Sequence, residues 1–428
     1  MKVLVIGSGG REHALAWKIS QSKRVTKLYC APGNPGIEEI TECVPIKAAD
    51  LAGLRGFVES EKIDLTVVGP EQPLAEGIVD LFEANHLPIF GPSKKAAELE
   101  WSKAFAKDFM LRHGIPTAHH RTFSRSQISA ATAHIEHCDP PVVIKANGLA
   151  AGKGVAVCNN RDEARVSLSS MMAHESGGTV VIEEFLEGDE ASVFAICNGT
   201  DYVTLAAAQD HKRVFDGDRG KNTGGMGAYA PAPVVSDEVL RNVQRLIIEP
   251  TLKGMMDEGR PYKGCLYCGL MITVDGPKVI EYNCRFGDPE TQVVLPLYDG
   301  DFLELLSAAS GGNLSSVASQ ASYSGNAVCV VLASRGYPDD YETGMPIHGL
   351  ESLKQSTDAL VFHAGTKRQE NRVVTAGGRV LGVTAWTKNE SLRQAIDTAY
   401  DAVQSLSFEG MHFRKDIGSK AFAHEQHV

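Results

Sequence analysis

The sequence predicts a multidomain protein combining α/β and α+β architecture: an N-terminal parallel-sheet domain, a middle region with a small lid-like unit, and a C-terminal α+β domain. Three observations carry this. The chain has 428 residues, more than one ordinary core accommodates. Short apolar runs alternate with helix-like stretches over the first hundred residues, the pattern of a parallel sheet with helices on its faces. Hairpin signals, at Asn198-Gly199, Asp275-Gly276 and Gly377-Gly378, occur only later.

Taken in order, Lys2–Gly7 reads as an apolar strand and Arg11–Gln21 as a helix, with further strands at Val25–Cys30, Leu65–Gly69 and Pro88–Phe90. Ligands of such sheets sit beyond the carboxyl ends of the strands. The loops expected there are Gly7–His13 (GSGGREH), Ala31–Gly36 and Val68–Leu74. The first approaches the dinucleotide fingerprint G-x-G-x-x-G, but Glu12 occupies its last position, where a carboxylate opposes a pyrophosphate. A tight strand-to-helix turn and a turn binding a single phosphate are the other readings. A helix with Trp101, Phe105 and Phe109 on one face ends at Gly114, with Pro116 following. The lid unit comprises strand Val142–Ala146, a glycine loop, strand Val155–Cys158, helix Arg161–Ala173 and strand Val180–Glu183. Gln209–Pro231 reads as a long polar loop, Asp237–Glu249 as a helix and residues 310–325 as a linker. The tail has a strand at Ala327–Leu332 and a closing helix with Leu392, Ile396, Ala399, Val403 and Leu406 on one face, without obvious chemistry of its own.

Composition narrows the function. The chain is 43% hydrophobic and 22% charged with a net charge of −11, so a nucleic-acid surface would need a basic patch that no dense Lys/Arg run supplies. No stretch approaches a membrane span, and the run Val3–Ile6 is too short for a signal peptide. The nine cysteines are scattered and odd in number, which points to a reducing cytoplasm. Cys265 and Cys268 form a lone C-x-x-C without a second pair at zinc spacing. Small-molecule chemistry is the expectation.

Four stretches could carry it. KANGLAAGKGV (Lys145–Val155) nearly spells a P-loop, but only three residues separate Gly148 from Gly152, and Gly154 stands where Ser/Thr should follow Lys153. In VIEYNCRFGDPETQ (Val279–Gln292), strand periodicity puts Glu281, Asn283 and Arg285 on one face. A carboxylate beside an amide oxygen suits Mg²⁺, and an Arg fork there suits a carboxylate or phosphate. In Gln209–Gly227, charged residues including Asp210 precede Asn222-Thr223 and a glycine turn, either a disordered loop or an anion site. VVIEEFLEGDE (Val180–Glu190) reads as a solvated acidic turn or as an adenine hinge in which Glu190 meets ribose.

Together GSGGREHALAWK, VGPE, SKAFAKDFM, KANGLAAGKG, VIEEFLEGDEAS, QDHKR, NTGGMGAY and EYNCRFGDPETQ, in that order, resemble the glycinamide ribonucleotide synthetase (phosphoribosylamine–glycine ligase) family of the ATP-grasp superfamily, from residue 1 to about 420. The resemblance implies an ATP-grasp fold with domains at 1–102 (phosphoribosylamine-binding), 103–312 (ATP-grasp, lid about 122–188) and 325–428. It implies that Lys103, Lys145, Gly148, Gly152, Lys153 and Gly154 contact ATP phosphates. Glu183, Leu186 and Glu190 would take adenine and ribose, and Glu281 and Asn283 would ligate Mg²⁺, with Mn²⁺ an alternative. Asp210 and Arg285 are the catalytic candidates on the glycine side, and Gly9, Asn34, Glu71 and Thr223 join them as substrate contacts. Three positions depart from the family pattern: Asn147 where Asp is usual, Lys221 where Pro is usual, and Trp101 where a small residue is usual. No carboxylate lies on Gly264–Val274, where many ATP-grasp enzymes carry a metal ligand, leaving the metal to Glu281, Asn283 and water.

The implied reaction is ATP-dependent ligation of glycine to 5-phosphoribosylamine through glycyl phosphate, in purine biosynthesis, by a cytoplasmic monomer without nucleic-acid or membrane partners. A purine-intermediate carboxylase using bicarbonate and a non-catalytic nucleotide-binding module are the rival readings.

Overall fold

In the computed structural model the described residues are 1–149, 154–173, 178–319, 322–354 and 359–422. The N-terminal unit is a five-stranded parallel sheet in the order Glu42–Cys43, Lys27–Pro32, Lys2–Gly7, Leu65–Val68, Ile89–Phe90. The next strand in the chain, Lys27–Pro32, pairs on one side of Lys2–Gly7 and the later strand Leu65–Val68 on the other, so a crevice opens at the carboxyl ends there. Helix Gly10–Ser20 starts at this crevice. Its Glu12 bends back so that Gly9 N–H donates to Oε2 at 2.6 Å, while Arg11 Nε donates to Oε1 at 2.6 Å. The carboxylate that argued against a pyrophosphate is therefore the turn's own cap.

The middle of the chain forms two antiparallel sheets. One is four-stranded, in the order Asp201–Thr204, Asp189–Asn198, Lys263–Thr273, Gly276–Asn283. The other, the lid, is also four-stranded, in the order His120–Phe123, Val180–Glu184, Val142–Ala146, Val155–Cys158. Helices Ile128–Glu136 and Arg161–Ala173 cover it, and Ile135, Ile144, Leu168 and Ile182 form a separate small core. A unit with its own core can move as a body. The lid has one strand and one helix more than the sequence suggested. Strand His120–Phe123 (HRTF) has no apolar alternation to reveal it.

The largest departure concerns Gln209–Pro231, expected as a loop. Gln209–Asp210 and Gly227–Ala230 are strands of the C-terminal sheet, whose order is Gln209–Asp210, Gly227–Ala230, Asn326–Ala333, Arg379–Thr387, Ala359–His363. A two-stranded hairpin, Arg213–Phe215 with Arg219–Asn222, projects between them. Strands this short, broken by charged residues, carry no periodicity. Gly227–Ala230 pairs with Asn326–Ala333, a hundred residues on, and Gln209–Asp210 pairs in turn with Gly227–Ala230, which is what makes them strands.

Two smaller expectations also change. The helix predicted through Trp101 is broken: Glu98–Trp101 ends at Ser102, which caps a new helix, Lys103–Arg112, by accepting Phe105 N–H at 3.2 Å. The expected linker 310–325 contains a short helix, Ser315–Ala318, with Leu314 and Val317 buried; residues 320 and 321 of it lie outside the described residues. Cys265 and Cys268 are free thiols buried in the four-stranded sheet. No helix among the described residues is long and apolar enough to cross a membrane.

Candidate functional site

A cavity of about 580 Å³ opens where the lid, the four-stranded sheet and the crevice of the N-terminal sheet meet, within the size range of nucleotide and cofactor sites. Strand Gly276–Asn283 supplies one wall. Buried Tyr282 and Cys284 face the core, whereas Glu281, Asn283 and Arg285 face the cavity, as the period of two dictates.

Lysines surround that face. Lys145, on the lid strand, donates to Ile280 O at 2.9 Å and pairs with Glu183 Oε2 at 3.0 Å. Lys103, at the start of its helix, donates to Gly148 O at 2.9 Å. Burial would raise the Glu281 carboxyl, but Lys212, Lys145, Lys103 and Arg285 hold it below its usual range. It stays ionised near neutral pH. Burial lowers Lys103 in turn. Lys107, one helical turn further, pairs with Glu183 Oε2 at 2.9 Å and donates to Thr117 Oγ1 at 2.7 Å. Glu183 is thus committed to two lysines, and its buried Oε1 has no hydrogen-bond partner.

The opposite end is more acidic. Arg285 lies 3.3 Å from Glu71 Oε2 and 3.0 Å from Glu100 Oε1, and donates to Asn283 Oδ1 at 3.3 Å. Burial raises the Glu100 carboxyl, with Arg285 opposing. Asp210, buried, is pushed up to about 7, chiefly by burial and against the pull of Lys212. Lys212 itself pairs with Glu190 at 3.1 Å. Thr223 Oγ1 donates to Lys212 O and accepts Gly225 N–H, fixing the glycine turn at the cavity edge.

Thirteen of the predicted site positions therefore line one cavity: Lys103, Lys145, Gly148, Gly154, Glu183, Leu186, Glu190, Glu71, Asp210, Thr223, Glu281, Asn283 and Arg285. Gly152 and Lys153 lie outside the described residues. Gly9 and Asn34 do not line the cavity. The N–H of Gly9 is taken by Glu12. The Asn34 amide is fully used internally, donating to Ser8 O and His363 O and accepting from Gly36 N–H and Ile37 N–H. The antiparallel pairing of Val142–Ala146 with Val155–Cys158 shows why the glycine loop lacks the P-loop Ser/Thr: it joins two strands, not a strand and a helix.

Sequence reasoning missed Lys107, Glu100, Tyr337 and Arg379, which also line the cavity. Lys107 was within reach, four residues after Lys103 and so on the same helix face. Tyr337 and Arg379 had no signal, because they come from the C-terminal unit that looked chemically bare.

Residues 1–100, 101–291 and 327–420 match, respectively, the N domain, the ATP-grasp (A) domain and the C domain of phosphoribosylglycinamide synthetase. A phosphoribosylamine–glycine ligase of Yersinia pestis is 50% identical over 431 residues, covering 99% of each chain. One from Caldanaerobacter subterraneus is 48% identical over 423 residues, covering 98% of this chain and all of the other. The chain belongs to the phosphoribosylglycinamide synthetase family. Among solved structures, the phosphoribosylamine–glycine ligase of Thermotoga maritima aligns with a TM-score of 0.83 at 34% identity, over 97% of this chain and 100% of that one. Biotin carboxylase from Campylobacter jejuni aligns with a TM-score of 0.74 at 15% identity, over 96% of this chain and 92% of that one. That likeness speaks for the shared ATP-grasp fold alone.

Within the phosphoribosylglycinamide synthetase family pattern, the three unusual residues now have surroundings. Asn147 Oδ1 accepts Ala104 N–H at 3.1 Å. Lys221 pairs with Asp339 of the C-terminal unit at 2.8 Å. The ring of Trp101 packs against the buried cluster that contains Leu99, Phe109 and Tyr282, with Nε1 3.4 Å from Lys94 O.

The donor set fits a hard divalent cation. Glu281 and Asn283 present oxygens from one strand face, and phosphate and water oxygens can complete a magnesium shell. Among the described residues no group of three or more His, Cys, Asp or Glu side chains is arranged to hold a metal.

Proposed function

We propose that this chain joins glycine to 5-phosphoribosylamine with cleavage of ATP, giving glycinamide ribonucleotide, ADP and phosphate in purine biosynthesis. Full-length similarity to phosphoribosylamine–glycine ligases supports the reading. The observation that carries it is the convergence of Lys103, Lys145, Lys212 and Arg285 on the Glu281–Asn283 face of one cavity.

An amide cannot form from a carboxylate at neutral pH without a better leaving group. The glycine carboxylate attacks the γ-phosphoryl group, releasing ADP and forming glycyl phosphate; the amine of phosphoribosylamine then attacks the carbonyl and expels phosphate. Such chemistry needs positioning and neutralised charge rather than a protein nucleophile. Lys103 and Lys145 meet phosphate oxygens, with Gly148, Gly152, Lys153 and Gly154 of the lid loop closing over them. Leu186 and Glu190 flank adenine and ribose. Glu183, held by Lys107 and Lys145, orients the latter. Arg285 takes the glycine carboxylate and Asp210 the glycine ammonium group. Glu71 and Thr223 bound the phosphoribosylamine end, with Gly9 and Asn34 shaping the loops behind it. Glu281 and Asn283 would hold Mg²⁺ or Mn²⁺, which when bound neutralises phosphate charge as a Lewis acid. The lid keeps water from the labile acyl phosphate.

The functional units in this reading are 1–102, 103–312 with the lid at about 122–188, and 325–428, in a cytoplasmic monomer. An ADP-release assay tests it: release requires both glycine and phosphoribosylamine. Release driven by bicarbonate instead would mark a carboxylase, and ATP binding without release would mark a nucleotide-binding module.

A further inference from the structure

We propose that Arg379, supplied by the C-terminal sheet, is a positioning residue that ties together two walls of the cavity and so sets the rate of ligation. The inference rests on the ligase reading above. Arg379 opens strand Arg379–Thr387, far in sequence from every motif of the site. Its Nη1 donates to Gly224 O at 2.6 Å and to Asp288 O at 2.7 Å, and its Nη2 lies 3.3 Å from Asp288 Oδ2.

The two partners belong to different walls. Gly224 follows Thr223 in the turn at the cavity edge. Asp288 belongs to the turn that follows strand Gly276–Asn283 and Arg285. Tyr337, also from the C-terminal unit, accepts Gly224 N–H on its hydroxyl at 3.0 Å. Both backbone polar groups of Gly224 are therefore held by side chains of the third unit. Asp288 is locked as well, accepting from Gln292 Nε2 at 2.7 Å.

The residue types match this task. A guanidinium presents several donors in one plane and can bridge two carbonyls and a carboxylate, which a single ammonium cannot reproduce. A Cβ on Gly224 would stand 3.0–3.3 Å from guanidinium atoms of Arg379, so a side chain there would push the guanidinium back by a few tenths of an ångström. Releasing the bridge lets the Thr223–Gly224 turn and the Arg285 strand end drift apart. A displacement of about 1 Å at such a site costs on the order of 100-fold in rate. Among the described residues, Arg379, Tyr337 and Asp288 make no hydrogen bond or ion pair with the lid or Leu186, which build the adenine end.

The test compares Arg379→Ala, Arg379→Lys and Tyr337→Phe with the unaltered protein in the ADP-release assay. Each substrate is varied in turn, and thermal unfolding is recorded in parallel. The expected result for Arg379→Ala is a kcat lowered about 100-fold, with KM for ATP within about twofold of the unaltered protein and partial recovery in millimolar guanidinium chloride but not sodium chloride. Arg379→Lys should remain impaired. A folded Arg379→Ala variant with kcat within about threefold of the unaltered protein overturns the proposal, as does a loss that guanidinium does not reverse. Should Arg379→Ala fail to fold, Tyr337→Phe decides: a lowered kcat with unchanged KM for ATP supports the bridge, and unchanged kinetics overturn it. An unaltered protein that releases no ADP with glycine and phosphoribosylamine overturns the ligase reading instead.

Discussion

Asn147 Oδ1 accepts the backbone N–H of Ala104 at 3.1 Å, which ties the end of a lid strand to the first turn of the helix that begins with Lys103. Helix N-termini leave orphan donors that side-chain oxygens satisfy. The residue that departs from the family pattern thus keeps the acceptor that an aspartate would supply. Asn147→Asp should leave stability within about 0.5 kcal/mol, while Asn147→Ala loses a cap contact valued at about 1 kcal/mol. Because Lys103 in turn holds Gly148 O, the alanine variant should also raise KM for ATP severalfold. Urea denaturation and initial-rate kinetics check both.

Arg285 stands between Glu71 and Glu100, and removing it takes the nearest cation from both carboxylates, leaving Glu71 with Arg11 at 4.0 Å. Arg285→Ala should cut turnover by at least 100-fold, the scale expected when a positioned charge is lost. Cys268 lies fully buried in the sheet, away from the cavity lining. Cys268→Ala should cost about 1 kcal/mol of stability with turnover unchanged. Comparable losses in the two variants would refute the scheme.

Glu281 is the charged member of the proposed metal pair. Glu281→Gln removes the negative oxygen but keeps the size, so the Mg²⁺ concentration for half-maximal rate should rise by about tenfold or more. Chelation of divalent metal should abolish ADP release, and readdition should restore it. Titration of the rate with metal in both proteins measures the shift.

Burial pushes Asp210 up to about 7, so its carboxylate form grows as pH rises through that value. If that form receives the glycine ammonium group, kcat/KM for glycine should climb between about pH 6 and 8. Asp210→Asn should flatten this limb while lowering the plateau. A pH profile of both proteins at fixed ionic strength reads the difference.

Stability should depend on pH through three buried histidines. His13, His211 and His363 are lowered from 6.5 to about 3, 3 and 4, in each case chiefly by burial. Next in each case come His363 beside His13, Lys420 beside His211, and Lys354 beside His363. The folded state binds fewer protons than the unfolded one below pH 6.5, so the stabilisation is complete above 6.5 and is lost as pH falls toward 4 and 3. Each group contributes a slope of up to about 1.4 kcal/mol per pH unit. His13→Asn can keep an acceptor for the His363 N–H and should reduce the slope by one proton. Denaturant midpoints between pH 5 and 7.5 test this.

The elements written in local pattern were legible in advance. Strand Lys2–Gly7, the lid hairpin around the glycine loop, and the alternation that turns Glu281, Asn283 and Arg285 to one side follow from spacing alone. Residue chemistry, too, marked most of the cavity wall. What stayed hidden depends on partners distant in the chain. Gly227–Ala230 is a strand only because Asn326–Ala333 of another unit pairs with it, and Gln209–Asp210 pairs in turn with Gly227–Ala230. No local pattern shows that Glu183 pairs with both Lys107 and Lys145. Nor does one show that Asn34 donates an amide proton to His363 O across 329 positions.

By itself, then, the sequence determined the family, the order of motifs and the local conformations, since these rest on interactions among neighbouring residues. Tertiary structure alone decided which charges neutralise one another, which hydrogen-bonding groups are already spent, and that a C-terminal arginine reaches the cavity. Burial and long-range contact fix those properties, and neither is encoded at any one position of the chain.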